Sequence, residues 1–302
     1  MHIPDGFLST PVWAALDVAA APAAVYMARR AQSEFEERRV PLLGVMGAFV
    51  FAAQMINFPV GAGTSGHLVG SALLACTLGP AAAGVVMTAI LAIQALVFQD
   101  GGILALGANV VNMAVLGVLA GYLPYRLWGA GRARKAAIFA GGALSVLVGA
   151  LLAISQLLLS GIRMPPAVLS VSLGLFLIAA LLEGAITLAV VQSLEAIHPR
   201  FVRQPVANGG KAANLLLMAA LLLAVVGVLF ASADPDGLER LAENLGIASR
   251  AHALVPAPLA DYEAGFFQSE WLKKATAGLA GLALIYAACV LFGRLVTRPR
   301  SG

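Results

Sequence analysis

Apolar residues fill this chain in long unbroken runs, with polar and charged residues gathered into the short stretches between them. A helix that is hydrophobic all round sits in a large core or in lipid, and about 20 such residues suffice to cross a hydrocarbon layer of about 30 Å. The runs predict spans near 11–29, 41–58, 67–79, 80–98, 103–123, 136–160, 167–192, 213–231 and 272–293. The third is short, and the Gly79-Pro80 dipeptide that ends it breaks one long helix into a hairpin. The expected fold class is all-α, a polytopic membrane helix bundle of about nine spans.

Composition sharpens this picture. The chain has 302 residues, 60% of them hydrophobic and 11% charged, with a mean hydropathy of +0.90, whereas a soluble domain has about 25% charged residues. Basic residues gather at Arg29, Arg30, Arg38 and Arg39; at Arg126, Arg132, Arg134 and Lys135; at Arg200, Arg203 and Lys211; and at Arg294, Arg298 and Arg300. These groups follow the first, fifth, seventh and ninth spans, so nine crossings put them all on one face. The positive-inside rule makes that face cytoplasmic. The expected orientation is amino terminus outside and carboxy terminus cytoplasmic, in the cell inner (cytoplasmic) membrane, with the lipid bilayer as a partner and no nucleic acid. The outer segments then hold Asp5, Asp100, Asp234, Asp236, Glu239, Glu243, Asp261, Glu263 and Glu270. Such a surface either attracts cations over short range or is what remains once topology excludes basic residues.

A polar linker, 199–212, contains Pro199, Pro205, Asn208, Gly209 and Gly210 and separates 1–198 from 213–302. The second part reads as two spans joined by an outer segment, 232–271. Small residues recur at every fourth position in Gly44, Ala48 and Ala52 and in Gly141, Ser145, Gly149 and Ala153, a spacing that permits close helix approach, within this chain or against another. Cys76 and Cys289 lie in apolar runs and read as small buried hydrophobes. The sequence has no phosphate-binding Gly-x-x-x-x-Gly-Lys-Ser/Thr loop, no His-Glu-x-x-His helix, no Gly-x-Ser-x-Gly elbow and no Cys-x-x-Cys. Enzymatic chemistry, ATP hydrolysis included, is therefore not expected of it.

The candidate chemistry lies at the start, in Met1-His2-Ile3-Pro4-Asp5-Gly6-Phe7-Leu8-Ser9. A terminal amine, the amide nitrogen of residue two and the imidazole of His2 can close two fused rings around a divalent ion. Planar nitrogen sets suit Ni(II) or Cu(II), and a fourth nitrogen completes one. His67, in the polar run Gly61-Ala62-Gly63-Thr64-Ser65-Gly66-His67, is the candidate for it, since nine crossings place it on the outer face with Met1. No cleavable signal is expected, because Arg29 and Arg30 follow the first apolar run rather than precede it. Bulky His2 disfavours removal of Met1. The plain alternative is a mobile terminus without function.

A metal-bound imidazole donates its other nitrogen to an oxygen, and Asp5, Asn57, Thr64, Ser65, Gln94, Asn109 and Asn112 are the candidate neighbours, or else they satisfy helix ends. Gln99 is a further polar amide near the same face. Asp17 and Glu183 are ionisable groups inside spans, with either a structural partner or a place on the ion path. His198 and His252 stand alone in their segments and are assigned no ligand role.

The opening Met1-His2-Ile3-Pro4-Asp5-Gly6-Phe7-Leu8, with Gly63-Thr64-Ser65-Gly66-His67 and Asn109-Val110-Val111-Asn112-Met113-Ala114, resembles the CbiM/NikM family, the substrate-specific membrane components of energy-coupling-factor cobalt and nickel transporters. The resemblance covers roughly 1–200. It implies that the metal ligands are the amine and amide nitrogens of Met1 and His2, the His2 imidazole and the His67 imidazole. Asp234-Pro235-Asp236-Gly237-Leu238-Glu239 resembles the CbiN/NikN small subunit, here fused behind the larger one. The family implies separate ATPase subunits and a transmembrane coupling subunit as partners. The cargo is then Ni(II) or Co(II), with planar nitrogens favouring nickel and no organic cofactor. The competing readings are a stand-alone metal permease or channel and a non-transporting scaffold. A channel lines a through-path with polar rings, whereas the polar groups here cluster toward one face.

Overall fold

In the computed structural model, residues 1–34, 40–197, 202 and 210–296 are described, and nearly all the regular structure among them is helical. In chain order the helices are α1 (Thr10–Glu34), α2 (Val40–Gln54), α3 (Ser71–Leu78), α4 (Pro80–Phe98), α5 (Leu106–Trp128), α6 (Arg134–Leu159), α7 (Pro166–Ile197), α8 (Gly210–Val225), α9 (Gly237–Asn244) and α10 (Glu270–Val296). Between α2 and α3, the strands β1 (Phe58–Gly61) and β2 (Thr64–Gly66) form an antiparallel hairpin that pairs Phe58 with Gly66.

Six helices among the described residues are long and apolar enough to cross a membrane, not nine: Thr10–Ser33, Pro80–Phe98, Leu106–Trp128, Arg134–Leu159, Pro166–Ile197 and Glu270–Arg294. Hydropathy alone overcounts because apolar character outruns helix length in three places. The run at 41–58 stops as a helix at Gln54, where the polar residues Gln54 and Asn57 and the β-hairpin take over. The run at 67–79 yields only eight helical residues, since His67 to Gly70 stay outside the helix beside a polar site and Pro80 starts a new helix. The run at 213–231 gives way to a 3-10 turn at Gly227–Leu229. Most of the linker 199–212 lies outside the described residues, as do Arg38, Arg39, His198, Arg200, Arg203, Arg298 and Arg300.

The main core fills the centre of the bundle with Met46, Phe51, Leu73, Leu74, Met87 and Ile90. The small-residue spacing serves contacts within the chain: a β-carbon at Gly44 would lie 2.7 Å from Tyr286 of α10, and one at Gly141 would run into the carbonyl oxygen of Gly121 in α5. Outward-facing Val18, Tyr26, Leu159, Val171, Leu222 and Leu291 are exposed, as lipid-facing side chains are. Together the spans and this apolar exterior describe a multi-pass membrane helix bundle.

A second core lies at the end of the bundle where the chain begins. Ile3, Phe7 and Leu8 pack there with Ile154 and Leu157 of α6 and with Leu238, Leu241 and Ile247 from the carboxy-terminal part. Burial of each such side chain contributes about 1.5–3 kcal/mol. The first eight residues are therefore held by the last third of the chain.

Candidate metal site

Proline and glycine turn the opening segment inward. Gly6 takes φ +92, and a β-carbon on it would run into the carbonyl of Arg250, so the turn and the close approach both need glycine. Asp5 then reaches the turn just ahead of α5, where its carboxylate accepts the N–H of Ile103 (2.9 Å), Leu104 (2.8 Å) and Ala105 (3.2 Å). A carboxylate at the entrance to a helix is favoured by these hydrogen bonds and by the helix dipole together. Gly102 leaves the space through which Asp5 passes, and its N–H donates to the Ile3 carbonyl at 2.8 Å. Asn109 holds Ile3 from both sides, accepting its N–H at 2.8 Å and donating to its carbonyl at 3.1 Å. Asn109 thus engages Ile3 and not the amide nitrogen of His2.

These anchors set the amine of Met1 2.9 Å from Nε2 of His67 and in an ion pair with Asp236. Nδ1 of His67 lies 3.0 Å from the Leu68 carbonyl, which can only accept, so Nδ1 carries the proton and Nε2 offers its lone pair. The His2 ring is parallel to the His67 ring within 1°, their centroids 5.6 Å apart. His2 directs Nδ1 to Asp100 at 2.9 Å, while its buried Nε2 has no hydrogen-bond partner. Asp100 also accepts the Tyr262 hydroxyl, which in turn receives Gln94 Nε2 at 3.1 Å. Asp236 caps α9, its carboxylate accepting the N–H of Leu238 and Glu239 while the Glu239 side chain returns to the Asp236 N–H.

Electrostatics follow this geometry. Burial, then the neighbouring amine and His2, push the His67 imidazole down to about 4, so it is neutral at physiological pH. Burial would raise Asp236, but the charged amine outweighs it and keeps the carboxyl below the usual range. Asp100 is likewise held low against its burial by His2 and the Tyr262 hydroxyl.

The remaining candidates have other tasks. Ser65 joins the hairpin to the carboxy-terminal part, its N–H on the Pro235 carbonyl (2.8 Å) and its hydroxyl on that of Asp234 (2.7 Å). The Thr64 hydroxyl is buried without a partner. The Asn57 carbonyl accepts the Ser232 N–H at 2.8 Å. Gln94 donates to Gln54 at 2.9 Å, and Asn112 exchanges two hydrogen bonds with Gln156 at 2.9 and 2.7 Å. Asp17 accepts the Gly107 N–H at 2.7 Å, and Glu183 accepts those of Val69 and Gly70. Acceptors for the two imidazoles were expected among Asp5, Thr64, Ser65 and the amides; they are instead the Leu68 carbonyl and Asp100. Sequence reasoning missed Asp100, Asp236 and Tyr262 at the site. Asp236 stood in a quoted motif and Asp100 among the outer charges, but nothing local in either pointed to Met1 or His2.

Among the described residues no three His, Cys, Asp or Glu side chains converge as a conventional ligand cluster. What the arrangement brings together is nitrogen: the Met1 amine, His67 Nε2 and the His2 ring. A cavity of about 840 Å³, lined in part by His2, His67, Asp100, Asp236, Glu239 and Tyr262, opens beside them.

Residues 2–201 match the model of the CbiM family, described as a cobalt uptake substrate-specific transmembrane region, and 211–298 match the PDGLE domain. A fused nickel transport protein NikMN of Rhodobacter capsulatus is 30% identical over 95% of this chain and 95% of its own length. A cobalt transport protein CbiM of Thermosediminibacter oceani is 35% identical over 53% of this chain and 67% of its own. The crystal structure of a truncated transition metal transporter is 35% identical, with a TM-score of 0.58 over 66% of this chain and all of that one.

Proposed function

The chain belongs to the CbiM family of cobalt-uptake substrate-specific transmembrane regions, followed by a PDGLE domain, and from there we propose that it captures Ni(II), or Co(II), for an ATP-driven energy-coupling-factor importer. It is a membrane transport component, not an enzyme. Its partners in this reading are a pair of cytoplasmic ATPases and a transmembrane coupling subunit, with the site facing outward from the inner membrane. The single observation that carries the reading is the Met1 amine seated against His67 Nε2 at 2.9 Å.

The ion binds in a plane of four nitrogens: the Met1 amine, the His2 amide, the His2 imidazole and His67 Nε2. His67 is already neutral and correctly protonated, so it needs no rearrangement. The amine exchanges Asp236 for the ion and sheds a proton, the amide sheds another, and the His2 ring trades Asp100 for the ion. Asp5 and Asn109 hold the segment while this happens, so the donors arrive pre-positioned and little ordering entropy opposes binding. Four in-plane nitrogens favour Ni(II) over Co(II).

The test is nickel binding by the purified protein, with and without one extra residue before Met1. The extension keeps every side chain and displaces only the amine, so binding should be lost; unchanged stoichiometry and affinity would overturn the site. Uptake by cells with and without the ATPase and coupling subunits tests the energy source, and full accumulation without them would favour a stand-alone permease.

A further inference from the structure

The His67 ligand has no support from its own short strand, which ends at Gly66. It is held from behind. Glu183, in the middle of α7 and 1% exposed, accepts the backbone N–H of Val69 at 2.7 Å through one carboxylate oxygen and that of Gly70 at 2.8 Å through the other. The intervening carbonyl of Val69 receives Gln54 Nε2 at 2.8 Å, and Gln54 in turn accepts Gln94 Nε2 at 2.9 Å. The segment after His67 is thus gripped by α7 on one side and by α2 and α4 on the other. Leu68, whose carbonyl fixes the His67 tautomer, lies between the ligand and this grip.

A carboxylate in the apolar part of a membrane helix is costly and is kept for a purpose. Among the described residues no ion pair engages Glu183; its oxygens are spent on two adjacent amides. The amide of Gln or Asn has a single acceptor oxygen and would set its own N–H₂ where Glu183 places its second oxygen, against one of the two donors. The bidentate geometry needs a carboxylate. The helix continues to Glu195, which is ion-paired to Arg134 near the opposite end of the bundle, so α7 joins the ligand segment to the far face as one rigid element.

We propose that Glu183 is the positioning residue of the ion site: it sets the His67 imidazole in the ligand plane by clamping Val69 and Gly70 to α7. This rests on the metal-capture reading above. A shift of α7 would carry His67 with it, which makes the clamp the route by which movement of that helix loosens the ion.

The experiment compares purified wild-type protein, Glu183→Gln and Glu183→Asp, with Glu195→Gln as a control on the same helix. Three quantities are read: the dissociation constant for Ni(II), the visible absorption of the Ni(II)-loaded protein, which reports the planarity of its ligand set, and thermal unfolding without added metal. Loss of an indirect partner of a metal ligand weakens affinity about 10- to 100-fold, so Glu183→Gln should fall in that range and shift the absorption band. Glu183→Asp keeps the charge but is one methylene short of reaching both amides, and should lie between it and wild type. Glu195→Gln should retain the wild-type band. Wild-type affinity and spectrum in Glu183→Gln would overturn the proposal, and so would loss of the folded protein in both Glu183 variants, because that would make the residue a requirement of the bundle rather than of the ligand. Failure of the wild type itself to bind Ni(II) would instead overturn the capture reading.

Discussion

Nε2 of His67 lies 2.9 Å from the amine of Met1, 66 positions earlier in the chain, and Asp236 meets the same amine from the carboxy-terminal part. A polar contact of that separation is maintained only because Asp5, Asn109 and the second core fix the opening segment independently of His67. His67→Ala should therefore leave the fold nearly intact, at a stability cost of about 1–3 kcal/mol for its two hydrogen bonds. Nickel affinity should fall further than the about 10- to 100-fold expected of an indirect partner. Calorimetric titration alongside thermal unfolding separates the two effects.

Asp5 tests the clasp rather than the ligand. It is 4% exposed and serves three amides just ahead of α5, so Asp5→Ala strands buried donors at about 1–3 kcal/mol each. The expected result is a marked drop in unfolding temperature together with weaker nickel binding, whereas Asp5→Asn, which keeps one acceptor, should recover part of both. Binding measured well below the unfolding temperature, and found equal to wild type in Asp5→Ala, would mean that the amine finds His67 without the clasp.

Asp236 has two duties that a substitution can separate. Its carboxylate caps α9 and holds the Met1 amine, yet in the proposed capture the amine must leave it. Asp236→Asn keeps an oxygen for the cap and removes the competing charge. Stability should fall by about 0.5–2 kcal/mol, the range for a weakened cap, while nickel affinity at neutral pH should not weaken. A large loss of affinity with stability preserved would instead make Asp236 a ligand.

The contrast between what hydropathy foretold and what folded has a physical basis. Runs such as 136–160 and 167–192 became α6 and α7 because nothing in them competes with the helix, and lipid leaves the backbone no other way to satisfy itself. The runs at 41–58, 67–79 and 213–231 fell short because Asn57, His67 and Gly227 stand where the chain leaves the helix for the site or for a turn. The adjacency of Met1 and His2 is a local pattern, and His67, which the sequence put on the same face, does lie beside them. Asp100, Asp236 and Tyr262 were not: their roles come from contacts with His2, Met1 and Asp100 across more than ninety positions, which no spacing encodes.

Acid should act on this site through His67. The ordinary imidazole pKa is about 6.5, and in the folded chain burial and the adjacent amine bring it to about 4. Between those values the unfolded chain binds a proton that the folded chain refuses, so stability rises with pH across that window and is lost on acidification through it; below about 4 both states are protonated and the contribution is flat. Replacing His67 by Gln removes the titration, so the unfolding temperature of the variant should depend less steeply on pH over the same interval. Nickel binding adds a second dependence, because the amine and the His2 amide must both give up protons to the solvent. Affinity should therefore keep increasing above pH 6.5, where His67 is already neutral, and the protons released can be counted from calorimetric titrations in buffers of different ionisation enthalpy. An affinity that levels off once His67 is neutral would mean that the backbone nitrogens take no part in holding the ion.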